Sequence, residues 1–209
     1  MNSSTKLIYN GPRLSPKQVV LAHGAGAGME SPFMEYFAHG LASHNIRVVR
    51  FEFPYMARRK ISGKNKPPDR EPVLRSCWQE VIARLGNENL VIGGKSMGGR
   101  IASLVADEAG VAGLVCLGYP FHPTGKPDKL RTEHLLNLKT PTLILQGERD
   151  AFGNRAEVAG YRLPPTLNFQ WLEDGNHGFK PRKLSGRSEI KNWDQAVSAI
   201  VDFVARLES

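Results

Sequence analysis

The sequence predicts an α/β fold: a mostly parallel central sheet of about six to seven strands, helices on both faces, and no large cap domain. Two patterns carry this. Short apolar runs recur along the chain, each continuous rather than alternating, as expected for strands buried on both faces. Segments with helical spacing lie between them, so strands and helices alternate. The 209 residues suffice to bury a good core, and 41% hydrophobic with 23% charged residues is ordinary for a soluble globular protein. No repeat, low-complexity tract or linker interrupts the chain, so residues 1–209 are expected to form a single domain.

Taken in order, Lys6 to Asn10 reads as a short edge strand, closed by a turn at Gly11-Pro12. Gln18-Val19-Val20-Leu21-Ala22 is a buried strand running into the glycine-rich stretch His23-Gly24-Ala25-Gly26-Ala27-Gly28. Ser31-Pro32, with Phe33, Phe37 and Leu41 behind, reads as a helix with a capping serine and proline at its first position. Ile46 to Phe53 is the next strand. Residues 54–72 show no apolar periodicity and carry Arg58, Arg59, Lys60, Lys64, Lys66 and Arg70, so a solvated loop is expected. Val73 to Leu85 has a helical stripe. Leu90 to Gly93 opens a strand, Ile101 to Ala109 has helical spacing, and Ala112 to Leu117 is a strand. Gly118 to Leu138 is polar and Pro/Gly-rich, with a short helix near Leu130 to Leu136. This segment is expected to cover the site, and its His122 and His134 are expected at the surface. Thr142 to Gly147 and Asn168 to Leu172 are the last strands. Trp193, Val197, Ile200, Val204 and Leu207 then follow at four- and three-residue steps, the mark of an amphipathic helix.

The chain is organised around Gly94-Lys95-Ser96-Met97-Gly98-Gly99, which sits between strand and helix. A serine held in a strained turn at the end of a strand needs small residues two before and two after it. Gly94 and Gly98 meet that demand. A phosphate-binding loop is excluded, because its first glycine would fall at Asn89, and strand residues fill the intervening space. A serine hydroxyl is a poor nucleophile unless a histidine takes its proton and an acid orients that histidine. Asp150 follows the strand ending at Gly147, and His177 follows the last strand, flanked by Gly175 and Gly178. All three residues would therefore converge on one edge of the sheet. Glu148 and Asp174 are alternative acids; Asp174 shares the His177 loop and could brace it instead.

The charge balance is +8. It admits an anionic substrate or partner, with the basic stretch at 58–70 as the place to hold it. Arg58, Arg59 and Arg131 are the candidates for contacting such a substrate. Nucleic acid is disfavoured, because no aromatics interleave with the basic run. No apolar run approaches the roughly 20 residues that cross a bilayer. The polar start Met1 to Lys6 has no apolar signal region behind it, so a cytoplasmic protein without membrane insertion is expected. Cys77 and Cys116 are expected as two buried thiols. No cluster has metal-ligand spacing, and no metal or cofactor is expected.

The motifs at 21–26, 94–99, 145–150 and 175–179 resemble those of small α/β-hydrolases, including dienelactone-hydrolase-like enzymes. A narrower resemblance is to the α/β-hydrolase-like family of testis-expressed and NSL-complex subunit proteins. It rests on Gly93 to Arg100, on Gly118 to Pro123, and on the continuation through Gly125-Lys126-Pro127 to Leu130 to Leu135. The resemblance implies an α/β-hydrolase fold and serine-dependent cleavage of an ester, thioester or amide; the absence of a cap domain favours small or exposed acyl groups and an esterase or thioesterase over a peptidase. It also implies an oxyanion hole made by the backbone N–H groups of Ala25 and Met97, leaving His23 a structural role. Dienelactone hydrolases proper use a cysteine nucleophile where this chain has Ser96, so their substrate is not carried over. A binding module on the same scaffold, acting through its basic stretch, is the alternative.

Overall fold

In a computed structural model, which describes residues 5–207, seven strands form one sheet in the order β1-β3-β2-β4-β5-β6-β7. They are β1 (Leu7–Asn10), β2 (Gln18–Ala22), β3 (Arg47–Phe51), β4 (Leu90–Lys95), β5 (Gly113–Leu117), β6 (Thr142–Gly147) and β7 (Leu167–Leu172). Only β1 runs antiparallel, against β3; every other pairing is parallel. The polar stretch 1–4, on which the expectation of a leaderless start rests, lies outside the described residues. No helix among the described residues is long and apolar enough to cross a membrane.

The continuous apolar runs follow from covering both faces. Successive strand side chains point to opposite sides. Val19 and Leu21 thus join the core layer under α1 (Pro32–Ser43) and α7 (Glu189–Arg206). Val20 and Ala22 join the layer under α3 (Glu71–Leu85), α4 (Met97–Ser103) and α5 (Ala106–Ala109). The stripe predicted at the C-terminal end lies on α7, where Val197, Ile200 and Val204 are buried. Ser188 caps this helix, accepting from the Lys191 N–H at 3.2 Å.

Strand order fixes where a ligand can enter. β3 pairs on one side of β2 and β4 on the other, so the loops leaving the carboxyl ends of β2 and β4 diverge. That switch point is where open α/β sheets form their crevice.

The structure corrects five local expectations. Residues 54–62 form a helix, α2 (Pro54–Ser62), with proline in its first turn and Gly63 stopping it at φ 65°. Only Tyr55 and Met56 of this helix are buried, so its apolar contacts are too few to show a period. The helix expected over 101–109 is broken at Leu104-Val105 into α4 and α5. Ser31 stands at the N-cap of α1 but makes no capping hydrogen bond. Tyr119 and Phe121 of the expected covering segment are fully buried, which anchors its start in the core, while residues 124–130 are exposed. His122 is likewise buried rather than at the surface, and a partly buried His134 bonds Ser103 Oγ at 2.8 Å. Cys77 and Cys116 are buried free thiols.

Candidate active site

Ser96 occupies the turn between β4 and α4 with φ 51° and ψ −115°. A non-glycine residue rarely adopts this backbone, and the surroundings must hold it there. Its N–H donates to Leu117 O on β5, and its carbonyl accepts from the Arg100 N–H, both at 3.0 Å. The glycines are required by contact. A Cβ at Gly94 would lie 2.1 Å from Ala22 O, and one at Gly98 would lie 2.5 Å from Ala22 O and 2.7 Å from His23 O. All these neighbours are backbone, so neither can rotate away. Gly98→Ala is therefore expected to cost about 1–3 kcal/mol of overpacking. Thermal unfolding of the purified variant, with a midpoint several degrees lower, checks this.

The glycine-rich loop after β2 is fixed from behind. His23 is fully buried, and its Nε2 accepts from the Phe53 N–H at 3.1 Å. The proton therefore sits on Nδ1, which donates to Gly24 O at 2.7 Å. Burial lowers the His23 pKa, keeping the ring neutral. Tyr55 Oη donates to the same carbonyl at 3.2 Å and to Ala25 O at 3.1 Å. In a planar trans peptide the N–H points opposite the C=O. Holding Gly24 O on one side thus aims the Ala25 N–H to the other. Met97, the first residue of α4, carries an N–H without an intrahelical partner. Tyr55 was not legible as a site residue, because only the tertiary fold brings α2 under this loop.

The acid and the base meet directly. Asp150 is fully buried; its Oδ2 lies 2.8 Å from His177 Nδ1 and accepts from Gln146 Nε2 at 3.0 Å. Its Oδ1 accepts from the Phe152 N–H at 2.9 Å. Gln146, also fully buried, is braced in turn by the Tyr119 N–H and by the carbonyls of Tyr119 and Gly153. Of the alternative acids, Asp174 binds Arg182 and Arg149, while Glu148 accepts from the Asp174 N–H and pairs with Arg155. Both brace the His177 loop from outside. From inside, buried Asn192 on α7 donates to Glu173 O at 3.0 Å and to Phe179 O at 2.7 Å. Trp193 Nε1 donates to Gly178 O at 2.9 Å. The Phe152 ring lies 4.4 Å from the His177 ring, centroid to centroid. Burial is the largest influence on His177 and lowers its pKa; the Asp150 hydrogen bond opposes that, and Lys95 adds to it.

Ser96, His177 and Ala25 line one cavity of about 490 Å³. Pro32, Phe33, Met34, Phe152 and Trp193 give it apolar walls, and Lys95 and Glu189 are its charged residues. No residue of 54–72 or 118–138 lines it, so the walls come from α1, the loop after β6 and the start of α7.

The structure does not bring Arg58, Arg59 or Arg131 into that lining. Arg58 pairs with Asp69. Arg59 donates to Lys66 O and to Ala25 O, and stacks on the Tyr55 ring at 5.0 Å. Lys60 pairs with Glu30 and Glu52. Arg59 and Lys60 thus hold the 23–31 loop through Ala25 O and Glu30, while Arg58 braces its own segment through Asp69. Arg131 lies beside Tyr119, whose hydroxyl donates to its carbonyl at 2.8 Å.

Known proteins agree with this architecture. A family profile described as "Alpha/beta hydrolase domain" matches residues 15–205, and the chain belongs to that family. Solved structures with the same fold include a thermophilic esterase from Thermogutta terrifontis. It has 17% identity, covers 98% of this chain and 94% of that one, and gives a TM-score of 0.69. A dienelactone hydrolase from Anabaena variabilis has 20% identity, covers 97% and 89%, and gives 0.68. An alpha-beta serine hydrolase homologue from Coxiella burnetii has 16% identity, covers 97% and 90%, and gives 0.67.

Proposed function

We propose that this α/β-hydrolase is a serine hydrolase that cleaves a small carboxylic ester or thioester through an acyl-enzyme. The observation that carries the reading is the 2.8 Å contact between His177 Nδ1 and the buried Asp150, with His177 lining the same cavity as the strained Ser96. Asp150 accepts a hydrogen bond from Nδ1–H, which keeps the proton on Nδ1 and leaves Nε2 as the base. Ser96 Oγ attacks the acyl carbon and its proton passes to Nε2. The carbonyl π electrons move to oxygen, where the N–H groups of Ala25 and Met97 receive the charge. When the tetrahedral adduct collapses, the bond to the alcohol or thiol breaks and the leaving group takes the proton from Nε2. Water then repeats the sequence on the acyl-enzyme, releasing acid and restoring Ser96.

The apolar walls suit a short, uncharged acyl group. The alternative, a binding module acting through the basic stretch, has Lys64, Lys66 and Arg70 exposed for it, while Arg58, Arg59 and Lys60 are engaged within the chain. The base works only as neutral imidazole. Because the His177 pKa lies below 6.5, activity is expected to hold at mildly acidic pH and to fall only as pH drops through that lowered value. Ser96→Ala is the test. Turnover of a panel of short-chain esters and thioesters is expected to vanish with the circular dichroism spectrum unchanged. Undiminished turnover would remove Ser96 from the chemistry.

A further inference from the structure

The residue just before Ser96 carries a positive charge into the site. Lys95 ends β4, and its Nζ donates to the backbone carbonyl of His177. The rings of Phe33 and Phe179 lie 5.3 and 5.4 Å from that nitrogen. A Cβ at Gly118 would stand 2.8 Å from Lys95 Nζ and 3.3 Å from His177 Cε1. Ammonium and imidazole therefore share one corner beside Gly118, whose φ of 69° favours glycine. The Coulomb attraction of an ammonium for a carbonyl dipole in so apolar a corner is strong.

We propose that Lys95 is a positioning residue for the hydrolytic step: it ties the His177 loop to the nucleophile strand, and its charge disfavours the imidazolium in the resting site. This rests on the roles given above to Ser96, His177 and Asp150.

The charged groups around the imidazole are few. Asp150 at Nδ1 favours the protonated ring, while Lys95 opposes it from the β4 side. Glu189, at the start of α7, is the carboxylate on the cavity wall. Behind the loop, Asp174 and Glu148 pair with Arg149, Arg155 and Arg182, a network with one positive charge in excess. His23, on the far side of Gly24, is held neutral by burial. Burial lowers the Lys95 pKa to about 7, against the pull of Asp150. Acidification charges Lys95, so its repulsion of the imidazolium acts on the acidic limb of the profile.

Two substitutions separate the tie from the charge. Lys95→Met removes both at similar length, whereas Lys95→Gln removes the charge and keeps a donor. In each, the acidic midpoint of kcat/KM against pH for an uncharged short-chain ester is expected to rise by about one unit, roughly a tenfold loss on the acidic limb. The high-pH plateau is expected to fall further in Lys95→Met than in Lys95→Gln. A role in packing alone would lower the rate equally at every pH. The same coupling is read without turnover by NMR titration of His177 in a Ser96→Ala background, with and without Lys95→Gln, the signal assigned by its loss in His177→Ala. An upward shift supports the proposal even in a chain found inactive on esters, where the functional reading alone would fail. An unmoved His177 midpoint overturns it.

Discussion

If His177 is the base proposed above, replacing it with alanine is expected to lower kcat by about 10⁶-fold on any ester the intact protein cleaves, the loss seen when a serine protease loses its triad histidine. Without the ring no group accepts the Ser96 proton. His177 is the imidazole lining the cavity with Ser96; His23 is consumed between Phe53 and Gly24, and His134 is bonded to Ser103. The fold should survive, because the loop is held through backbone atoms by Asn192, Trp193 and the Asp174 network rather than by the imidazole alone. Steady-state kinetics beside a thermal melt checks both halves.

The second large effect is expected for Asp150→Asn, a loss of about 10⁴-fold in kcat. Both carboxylate oxygens are acceptors here, Oδ2 towards His177 and Gln146, Oδ1 towards the Phe152 N–H. An amide has only one acceptor end. Turned either way, it sets an NH₂ against a donor at a fully buried position. Facing His177, the NH₂ forces the ring into the wrong tautomer, with its proton on Nε2. Facing Phe152, it leaves a buried N–H unpaired, at about 1–3 kcal/mol. The loss of about 10⁴-fold belongs to the first orientation, which also sets the NH₂ against the Gln146 amide, while the second would keep the tautomer and lose stability instead. Asp174→Asn is expected to leave kcat within about tenfold, because its carboxylate binds arginines outside the site. Parallel measurement of the two variants distinguishes the acids that the sequence left open.

The path from sequence to site explains what could be read and what could not. Ser96, Asp150 and His177 were legible because each stands just after an apolar run, and a parallel sheet gathers all strand ends at one edge. Gly94 and Gly98 were legible because a strained turn leaves a local mark. The helix over 54–62 was not, since only its first turn touches the core and its outward face reads as a charged loop. The 118–138 segment misled in the opposite sense. Its prolines and glycines suggested a covering loop, while Tyr119 and Phe121 anchor it in the core. The supporting residues Tyr55, Gln146 and Asn192 leave no sequence signal. Their partners lie 13 to 31 positions away for the contacts that matter most, Tyr55 to Gly24, Gln146 to Tyr119 and Asn192 to Phe179. Arg58 and Arg59 drew attention as charges, yet their carboxylate and carbonyl partners exist only in the folded chain.

The most direct test of the central claim is covalent labelling of the intact protein by a fluorophosphonate, compared with Ser96→Ala. The reagent bonds only to a serine activated by its neighbours, with fluoride leaving. The account predicts one label per chain, placed on Ser96 by peptide mass mapping and absent in Ser96→Ala. Well-folded protein that takes up no label, or label retained in the variant, would contradict it.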